Sequence, residues 1–582
     1  MAFTSSIFLI NISSSIISVT MFIARYGGKQ WLSRVRYFSS YPSALTTVKS
    51  ILSSSKSVLT KSKGIQSSML WILRTCNSQD LTEIMNGSVP RRIDSIPPFN
   101  KSPKPSPLLL QVFRLLSDNK DIYYNTLEVL SKDRLNELDL TSKCALVKAL
   151  QMSNQSELDS FENEIVTRVL KSVEGDELTT MKNLLNDIGN QYNLHQLLFQ
   201  ALDNKNRATV LEHFQDQVKV MKRSKRPIKV LSDIDDTLFS SWLDTRWPRH
   251  VVYPGVRQFF IELTKNNTDN TLTCNESTHK EENIQILSQM IIQVEQLMQQ
   301  QDETVVEVSV NEEKVKEIAL VDRFRLLREN SMSPWINHEE VEVEDDSDID
   351  FDAVHASSSI STVSTISATA ATTPRATETE EPSPLEDITY ITARPNGYRG
   401  LVAALTRRRL RLAGLSERPN VMLGDMSGIL GNKRIAQKKF TNFAEFSLLF
   451  PEYDFVLAGD SGQGDAKMGQ LMHEHYPSKL KGVFIHNINA KETTGDGRLK
   501  KEYEKELNFH FFQTYIGATT SAFQNDLMDI QSVINVSKSC VDEFLEKKFP
   551  RSLKGRQQFN DRLNDIYIDL NAAKEALLKV SR

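Results

Sequence analysis

Three carboxylates stand within four positions at the end of an apolar run, in the stretch IKVLSDIDDT from Ile228 to Thr237. They belong to Asp233, Asp235 and Asp236. A short apolar run of this kind is typical of a buried strand, so these acids would end a strand with little water around them. Like charges a few ångströms apart repel, and burial removes their hydration. A divalent cation is the obvious compensation, and we expect a metal site here.

Polar residues of complementary type follow three other segments of the chain. From Glu386 onward, short apolar strands and amphipathic helices alternate, which predicts an α/β fold with a parallel, three-layer, Rossmann-type sheet covered by helices on both faces. Functional groups gather where the strands of such a sheet end. Thr392, Asp460 and Asp465 lie at such positions, and Lys439 lies on the helix before the strand that carries Asp460.

The spacing Asp-x-Asp suits a division of labour between two carboxylates on phosphate esters. A loop that leaves a strand can turn both toward one point, so that Asp233 attacks phosphorus and Asp235 acts as general acid and then general base. A magnesium ion, its ligands completed by Asp460, would remove the repulsion between nucleophile and phosphate. Lys439 and the hydroxyl of Thr392 would bind the remaining phosphoryl oxygens.

Some members of this set have a competing structural role. Asp465 could cap the following helix, Thr392 could cap a turn, and Lys438 is a neighbouring alternative to Lys439. The predicted metal ligands are Asp233, Asp235, Asp460 and Asp465. The predicted phosphate-binding residues are Thr237, Thr392 and Lys439, and the predicted catalytic residues are Asp233, Asp235, Thr392 and Lys439.

The motifs resemble those of the haloacid-dehalogenase (HAD)-type phosphatases, in the order in which that family carries them. Asp-x-Asp-x-Thr after an apolar strand matches residues 233–237, and a hydroxyl that ends a strand matches Thr392. A helix-borne lysine matches Lys439, and Gly-Asp with a second Asp shortly after matches residues 459–465. The resemblance implies a HAD-like fold and an aspartyl-phosphate intermediate.

A closer resemblance is to the catalytic domain of the actin-patch-associated phosphatidate phosphatases. It rests on about a third of the chain, namely SDIDDT, YPGV, ITARP, FVLAGDSGQGD and HFFQTYIGATTSAF. It implies magnesium-dependent hydrolysis of phosphatidate to diacylglycerol, with a phospholipid substrate at a membrane surface. Thr392 stands where serine is commoner in that family, and neither the long insert nor the N-terminal helical region belongs to its pattern. Arg246, Arg249 and His250 could contact a phosphate headgroup or form ordinary surface.

Changes in composition divide the 582 residues into seven parts. Prolines mark a linker, helical periodicity marks two regions, and acidic and Ser/Thr-rich tracts mark an insert that is largely disordered. The apolar stripes of the N-terminal helical region are either its own core or a surface for protein partners. The predicted parts are a leader at 1–83, a linker at 84–107, the helical region at 108–221, the catalytic domain at 222–264 and 386–530, the insert at 265–385 and C-terminal helices at 531–582.

The net charge of −4 argues against bulk electrostatic binding to nucleic acid. Four scattered cysteines show no zinc spacing and no disulfide framework. The leader has no acidic residue before Asp80, and this favours a mitochondrial transit segment. A weak membrane anchor at residues 7–23, or a plain leader on a cytosolic protein peripheral to membranes, remains open. The alternative functions are the same chemistry on a phosphoprotein or soluble phosphate ester, and a non-catalytic scaffold.

Overall fold

The computed structural model describes residues 43–53, 63–87, 105–153, 157–186, 193–221, 223, 225–241, 243–265, 281–300, 388–395, 401–416, 419–424, 432–462, 464–488 and 508–579. Apart from residues 296–300, these belong to one compact unit formed by Met1–Glu295 and Pro382–Arg582. The predictions for residues 1–42, for most of the linker and for most of the insert lie outside the described residues.

A six-stranded, all-parallel sheet forms the centre of the unit, in the order β3-β2-β1-β4-β5-β6. The predicted α/β class and parallel sheet are therefore confirmed. The order of the strands reverses at β1, which lies between β2 and β4. The strands are β1 (Ile228–Ser232), β2 (Ile388–Pro395), β3 (Asn420–Gly424), β4 (Asp454–Asp460), β5 (Leu480–His486) and β6 (Phe509–Phe512).

Alternate side chains of β4 and β5 point to opposite faces of the sheet, and helices cover both faces. Phe455 packs on Phe443 on one face, and Phe484 packs on Phe259 on the other. The first face carries α13 (Asn432–Leu449) and α14 (Asp465–His475). The second face carries α10 (Val256–Lys265), α15 (Tyr515–Gln524) and α16 (Ile530–Glu546), and the further helices are α11 (281–300), α12 (Leu401–Leu412) and α17 (Leu553–Lys579).

Nine helices precede the sheet in the described part of the chain. Local signals fix some of their ends: Asp159 and Glu162 form a capping box at the start of α7, and Pro107 opens α4 behind the capping residue Ser106. The helices are α1 (Ala44–Ser53), α2 (Lys63–Thr75), α3 (Ser78–Asn86), α4 (Pro107–Leu116), α5 (Lys120–Glu128), α6 (Leu140–Ser153), α7 (Ser160–Lys171), α8 (Gly175–Asn186) and α9 (Asn204–Met221), with shorter turns at Val129–Asp133, Leu135–Glu137, Leu194–Gln196 and Leu197–Ala201.

The helical region begins earlier than the sequence predicted, because α1 and α2 lie inside the proposed 1–83 leader and α3 begins in it and ends in the proposed linker. Val48, Met69 and Leu81 from these helices are fully buried in the same core as α4 to α9. Their apolar spacing is helical even though the segment is rich in serine and poor in acids, and burial of that stripe stabilises the helices. Within the described residues, no helix is both long and apolar enough to cross a bilayer.

The helical region shares its core with the face of the sheet that carries α13 and α14. One continuous cluster of buried apolar residues runs from Val48 through Phe214 to Phe443 and Ile485. A buried ion pair crosses the boundary, where Lys182 Nζ lies 2.7 Å from Glu452 Oε2 and also donates to the carbonyl of Leu449. The apolar stripes of this region therefore serve a core held in common with the sheet.

Candidate active site

The candidate site lies where the strand order reverses. Main-chain pairing sets β1 and β4 side by side, and the amide of Asp233 continues the ladder by donating to the carbonyl of Ala458 at 2.9 Å. Asp233 follows β1 directly, and Asp460 is the last residue of β4. Adjacent parallel strands end at the same edge of the sheet, so the pairing of β1 with β4 brings these two carboxylates together.

Three buried carboxylates form the centre of the site. One ligand atom from each of Asp233, Asp460 and Asp465 lies within 4.8 Å of the others. Lys439 on α13 joins them, because its Nζ donates to Asp233 Oδ1 at 2.7 Å and to Asp465 Oδ1 at 2.6 Å. All four side chains are almost inaccessible to solvent. The adjacent Lys438 is only half-buried, whereas Lys439 lies against the acids.

Two glycines permit the close approach of β4 and α14 that places Asp465. A Cβ at Gly459 would lie 2.4 Å from the Cβ of Asp465, and a Cβ at Gly464, whose φ is +85°, would lie 2.6 Å from the carbonyl oxygen of Asn432. Asp465 is the first residue of α14 and does not cap it. Its carboxylate instead accepts from Lys439 and, at 3.2 Å, from the amide of Asp460.

Burial strongly disfavours the charged forms of the central acids. It raises the pKa of the Asp233 carboxyl to about 7, and the neighbouring ammonium of Lys439 offsets only part of the rise. Burial and the Asp465 carboxylate hold the pKa of Asp460 well above its ordinary value. Burial also opposes the charge on Lys439, but the attraction of Asp233 and Asp465 outweighs it, and the pKa of Lys439 rises. The one positive charge of Lys439 therefore does not balance the negative charges of the three carboxylates.

This donor set fits a hard divalent cation. Three carboxylates face one ammonium, so ionisation of all of them leaves two negative charges to be compensated. Asp233 Oδ2 is buried and has no hydrogen-bond partner among the residues that the structure describes. Oxygen-only ligands suit Mg²⁺, Mn²⁺ or Ca²⁺ rather than a soft metal. Asp233, Asp460 and Asp465 are therefore the residues that would hold such an ion, and the donor set does not single out magnesium.

Affinity for a divalent metal should rise as the pH passes upward through about 7. Protons and metal compete for carboxylates whose pKa burial has raised, so binding must release protons, and fewer remain to be released above that pH. Calorimetric titration of Mg²⁺ or Mn²⁺ in buffers of different ionisation heat measures both the affinity and the proton release. Affinity that does not change with pH would contradict metal binding by these acids.

Asp235 is the one predicted metal ligand that lies outside the central cluster. Its two carboxylate oxygens accept from Arg394, with Nε 3.0 Å from Oδ2 and Nη2 2.7 Å from Oδ1. A planar guanidinium engages both oxygens at once, and this holds the side chain away from the three buried acids. Asp235 and Arg394 are partly exposed, unlike the central acids, so the pair forms the outer layer of the site.

Arg394 is a site residue that the sequence analysis did not assign. It lies two positions after Thr392 on β2, a spacing that puts both side chains on one side of a regular strand, although the pairing of β2 is irregular between Ile391 and Pro395. Its Nη1 also donates to Thr406 of α12 at 3.0 Å. The sequence ITARP could have indicated this residue. A cation two positions after Thr392, the predicted phosphate ligand, would face the same opening.

The two predicted hydroxyl ligands are both buried beside the acids. Thr392 Oγ1 accepts from the amide of Arg394 at 3.2 Å. It therefore stabilises the turn, which was the alternative to phosphate binding. A hydroxyl oxygen has two lone pairs, so it can accept a second hydrogen bond. Thr237 Oγ1 is buried without a hydrogen-bond partner, whereas its carbonyl accepts from Tyr515 at 2.7 Å. Thr237 is therefore the more available of the two.

Asp236 organises the loop that follows β1. It has a φ of 55°, and its carboxylate accepts from the amides of Ser241, Leu243 and Asp244. Its carbonyl oxygen lies 2.9 Å from His486 Nδ1. Since Arg246 can only donate to the other ring nitrogen, Nδ1 carries the proton, and burial lowers the pKa of His486 to about 4. The imidazole is therefore a neutral support for the loop.

The three candidate headgroup residues have different surroundings. Arg246 is held by Asp244 at 2.9 Å and by Gln513 at 2.6 Å, so it is a structural ion pair under the loop and neither surface nor a free headgroup ligand. His250 Nδ1 accepts from Arg409, whereas Arg249 is exposed. The sequence could not distinguish them, because Gln513 beside Arg246 and Arg409 beside His250 come from distant segments.

Compared with family models, with curated proteins and with solved structures, the chain gives no match.

Proposed function

We propose that this protein is a divalent-metal-dependent phosphatase with a HAD-like fold that hydrolyses phosphatidate to diacylglycerol and phosphate, with magnesium as the metal. The observation that carries the proposal is Asp233. It is a buried carboxylate with one oxygen bound by Lys439 and the other without a hydrogen-bond partner, beside two more acids. A buried carboxylate with an unpaired oxygen destabilises the folded state, and such destabilising groups are commonest at functional sites.

In the first half of the reaction, an oxygen of Asp233 attacks the phosphorus of the ester. An O–P bond forms on Asp233, and the bond from phosphorus to the lipid alkoxide breaks. The substrate phosphate displaces Arg394 from Asp235, the freed carboxylate takes a proton from solvent at the partly exposed entrance, and Asp235 passes that proton to the departing alkoxide. A bound divalent cation supplies charge neutralisation between the anionic nucleophile and the anionic phosphate. Lys439 fixes the orientation of Asp233 through Oδ1, and Thr237 and Thr392 offer hydroxyls to phosphoryl oxygens.

In the second half, water attacks the phosphorus of the aspartyl-phosphate. Asp235, now ionised, takes the proton of that water, and the O–P bond to Asp233 breaks to release phosphate. For this Asp235 must leave one of its bonds to Arg394, and the phosphate of the substrate is an alternative partner for the guanidinium. The outer ion pair would thus open when substrate arrives and re-form after phosphate leaves.

The way the site opens supports a bulky substrate. About sixteen residues separate Thr237 from Pro254, and this loop folds back on itself through bonds between Ser240 and His250 rather than forming a separate cap. The partly exposed Asp235–Arg394 pair is therefore the entrance to the site. An entrance without a cap in this part of the chain suits a bulky lipid phosphate or a phosphoprotein better than a small metabolite that must be enclosed.

Substitution of Arg394 by glutamine should lower kcat on phosphate esters by about a hundredfold, because Asp235 loses its orienting partner and the phosphate loses a bidentate ligand. Lysine at the same position should recover only part of the rate, since it keeps the charge but not the two-pronged geometry. Steady-state kinetics of both variants measure this. Equal rates for wild type and the glutamine variant would exclude Arg394 from the site.

The direct test of the proposal is phosphate release from phosphatidate in mixed micelles, with added Mg²⁺ and with EDTA. We expect release that EDTA abolishes and that Mg²⁺ restores. Release that persists in EDTA would contradict the metal-dependent mechanism. Release from a soluble phosphate ester or a phosphoprotein, but none from phosphatidate, would replace the lipid substrate with that alternative, and the absence of any release would favour a non-catalytic scaffold.

A further inference from the structure

Helix α12 presents an unusual outward face. Leu405 is 54% exposed and Leu412 is 79% exposed, and Arg408 lies between them at helical spacing, so the three form one stripe. Arg411 borders that stripe and is also exposed. Single exposed leucines are ordinary, but two of them interleaved with arginines along one face is the pattern of helices that lie in a lipid–water interface.

The charge of this segment is one-sided. Between Pro395 and Ser416 the sequence has no acidic residue, and five arginines lie within it. Arg407 is buried under the helix, and burial lowers its pKa to about 10. The outward arginines are therefore backed by further positive charge, and the surface is complementary to an anionic one.

The inner side and one flank of the same helix touch the candidate active site. Thr406 accepts from Arg394, which in turn holds Asp235. Arg409 stacks 3.9 Å from the centre of the Phe239 ring and donates to His250 at 2.5 Å, so α12 is joined to the loop that follows the nucleophile. A ligand on the outward face of α12 therefore lies about one helix diameter from the entrance to the site.

We propose that the outward face of α12, formed by Leu405, Arg408, Arg411 and Leu412, docks on an anionic lipid surface beside the entrance to the active site. The inference deepens the proposed function and rests on it only in taking a lipid as the substrate. The two arginines would bind lipid phosphates, and the two leucines would enter the headgroup layer. Docking would then bring the Asp235–Arg394 entrance to the headgroup that carries the phosphomonoester.

Vesicle flotation tests the docking without any turnover. The full-length protein is mixed, in EDTA, with vesicles of phosphatidylcholine alone or with added phosphatidylglycerol, an anionic lipid whose phosphodiester is not the proposed substrate. We expect binding only to the anionic vesicles and weaker binding at high salt. The variants Arg408→Glu/Arg411→Glu and Leu405→Ser/Leu412→Ser should each bind at least about tenfold more weakly.

Matched controls use exposed residues outside α12. Lys205→Glu/Lys554→Glu makes the same change of charge, and Leu553→Ser/Leu578→Ser removes the same apolar groups from α17. These should bind anionic vesicles as the wild type does. Equal binding by the α12 variants and the wild type, or failure of the wild type to bind, would overturn the docking surface.

Activity separates a failure of docking from a failure of the proposed function. The α12 variants should release phosphate from soluble p-nitrophenyl phosphate at the wild-type rate, and from phosphatidate in anionic vesicles at least about tenfold more slowly. Loss of both activities with intact folding would place α12 in the chemistry instead of the docking surface. Absence of phosphatase activity in the wild type, with vesicle binding that depends on α12, would refute the proposed function and leave the docking surface standing.

Discussion

Replacement of Asp233 by asparagine is expected to abolish phosphate release, with a loss of at least about a thousandfold in kcat. Asparagine keeps the volume and can still accept the bond from Lys439, but its amide cannot attack phosphorus to form an acyl phosphate. Initial rates on phosphatidate micelles measure the loss. Asp542→Asn, on the exposed side of α16, is the matched control and should leave the rate unchanged.

The same variant should be more stable than the wild type when no metal is present and the pH is above about 7. Burial raises the folded-state pKa of Asp233 far above its unfolded value, so its ionisation costs stability as the pH rises through that interval. Below the unfolded pKa both forms are neutral and the difference vanishes. Thermal unfolding in EDTA at several pH values measures this. An asparagine variant that is inactive and also unfolds more easily at high pH would indicate a structural role for Asp233.

Removal of one partner from the Lys182–Glu452 pair should destabilise the protein by about 3–5 kcal/mol, because the remaining charge is buried and uncompensated. Both side chains are 1% exposed, and the ammonium also packs 4.7 Å from the centre of the Phe214 ring. Burial lowers the pKa of Lys182 to about 8 even with Glu452 beside it. Denaturant unfolding of Lys182→Met and of Glu452→Gln measures the loss.

The double variant Lys182→Met/Glu452→Met should recover most of that stability, since it removes both charges and keeps the volume. The exposed pair between Lys219 and Asp216 on α9 supplies the control, and Lys219→Met should change stability little. Because one core joins the helical region to the sheet, both should unfold in a single transition. Independent unfolding of the helices in the wild type would contradict a shared core.

The centre of the candidate site could be predicted because its acids follow strands of one parallel sheet. An apolar run ending in Asp233, and a second ending in Asp460, place both acids at one sheet edge as soon as the strands are parallel neighbours. The choice of Lys439 over Lys438 could be predicted only through family resemblance. The burial of Lys439 between Asp233 and Asp465 depends on how α13 packs across the sheet, and a sequence pattern does not show this.

The outer layer of the site could not be predicted, because its contacts join distant parts of the chain. Asp235 and Arg394 are 159 positions apart, and Arg246 meets Gln513 across 267 positions. Asp235 was therefore expected at the metal, and Arg246 was expected at a headgroup or on the surface. Which charged groups pair is decided by burial and by competition among neighbours, and both exist only in the folded chain.

The N-terminal boundary was missed for a different reason. The absence of acids and the abundance of serine before Asp80 favoured a leader. This average composition concealed the helical spacing of Val48 and Leu52 on α1 and of Met69, Ile72 and Leu73 on α2. Those residues are stable as helices only because the rest of the helical region covers them. Asp80 itself accepts from the amide of Ala44 at 2.9 Å and ties α1 to α3.

Trapping of a phosphoryl group on Asp233 tests the central claim most directly. The protein is mixed with Mg²⁺ and phosphatidate, quenched in acid during turnover and digested, and the peptide that contains residues 228–237 is analysed by mass spectrometry. We predict an aspartyl-phosphate at Asp233 from which hydroxylamine displaces phosphate. Borohydride should reduce the same acyl phosphate to homoserine with release of phosphate, and the adduct should be absent from Asp233→Asn. Turnover of phosphatidate with no such adduct on Asp233, or with the adduct on another residue, would contradict the account.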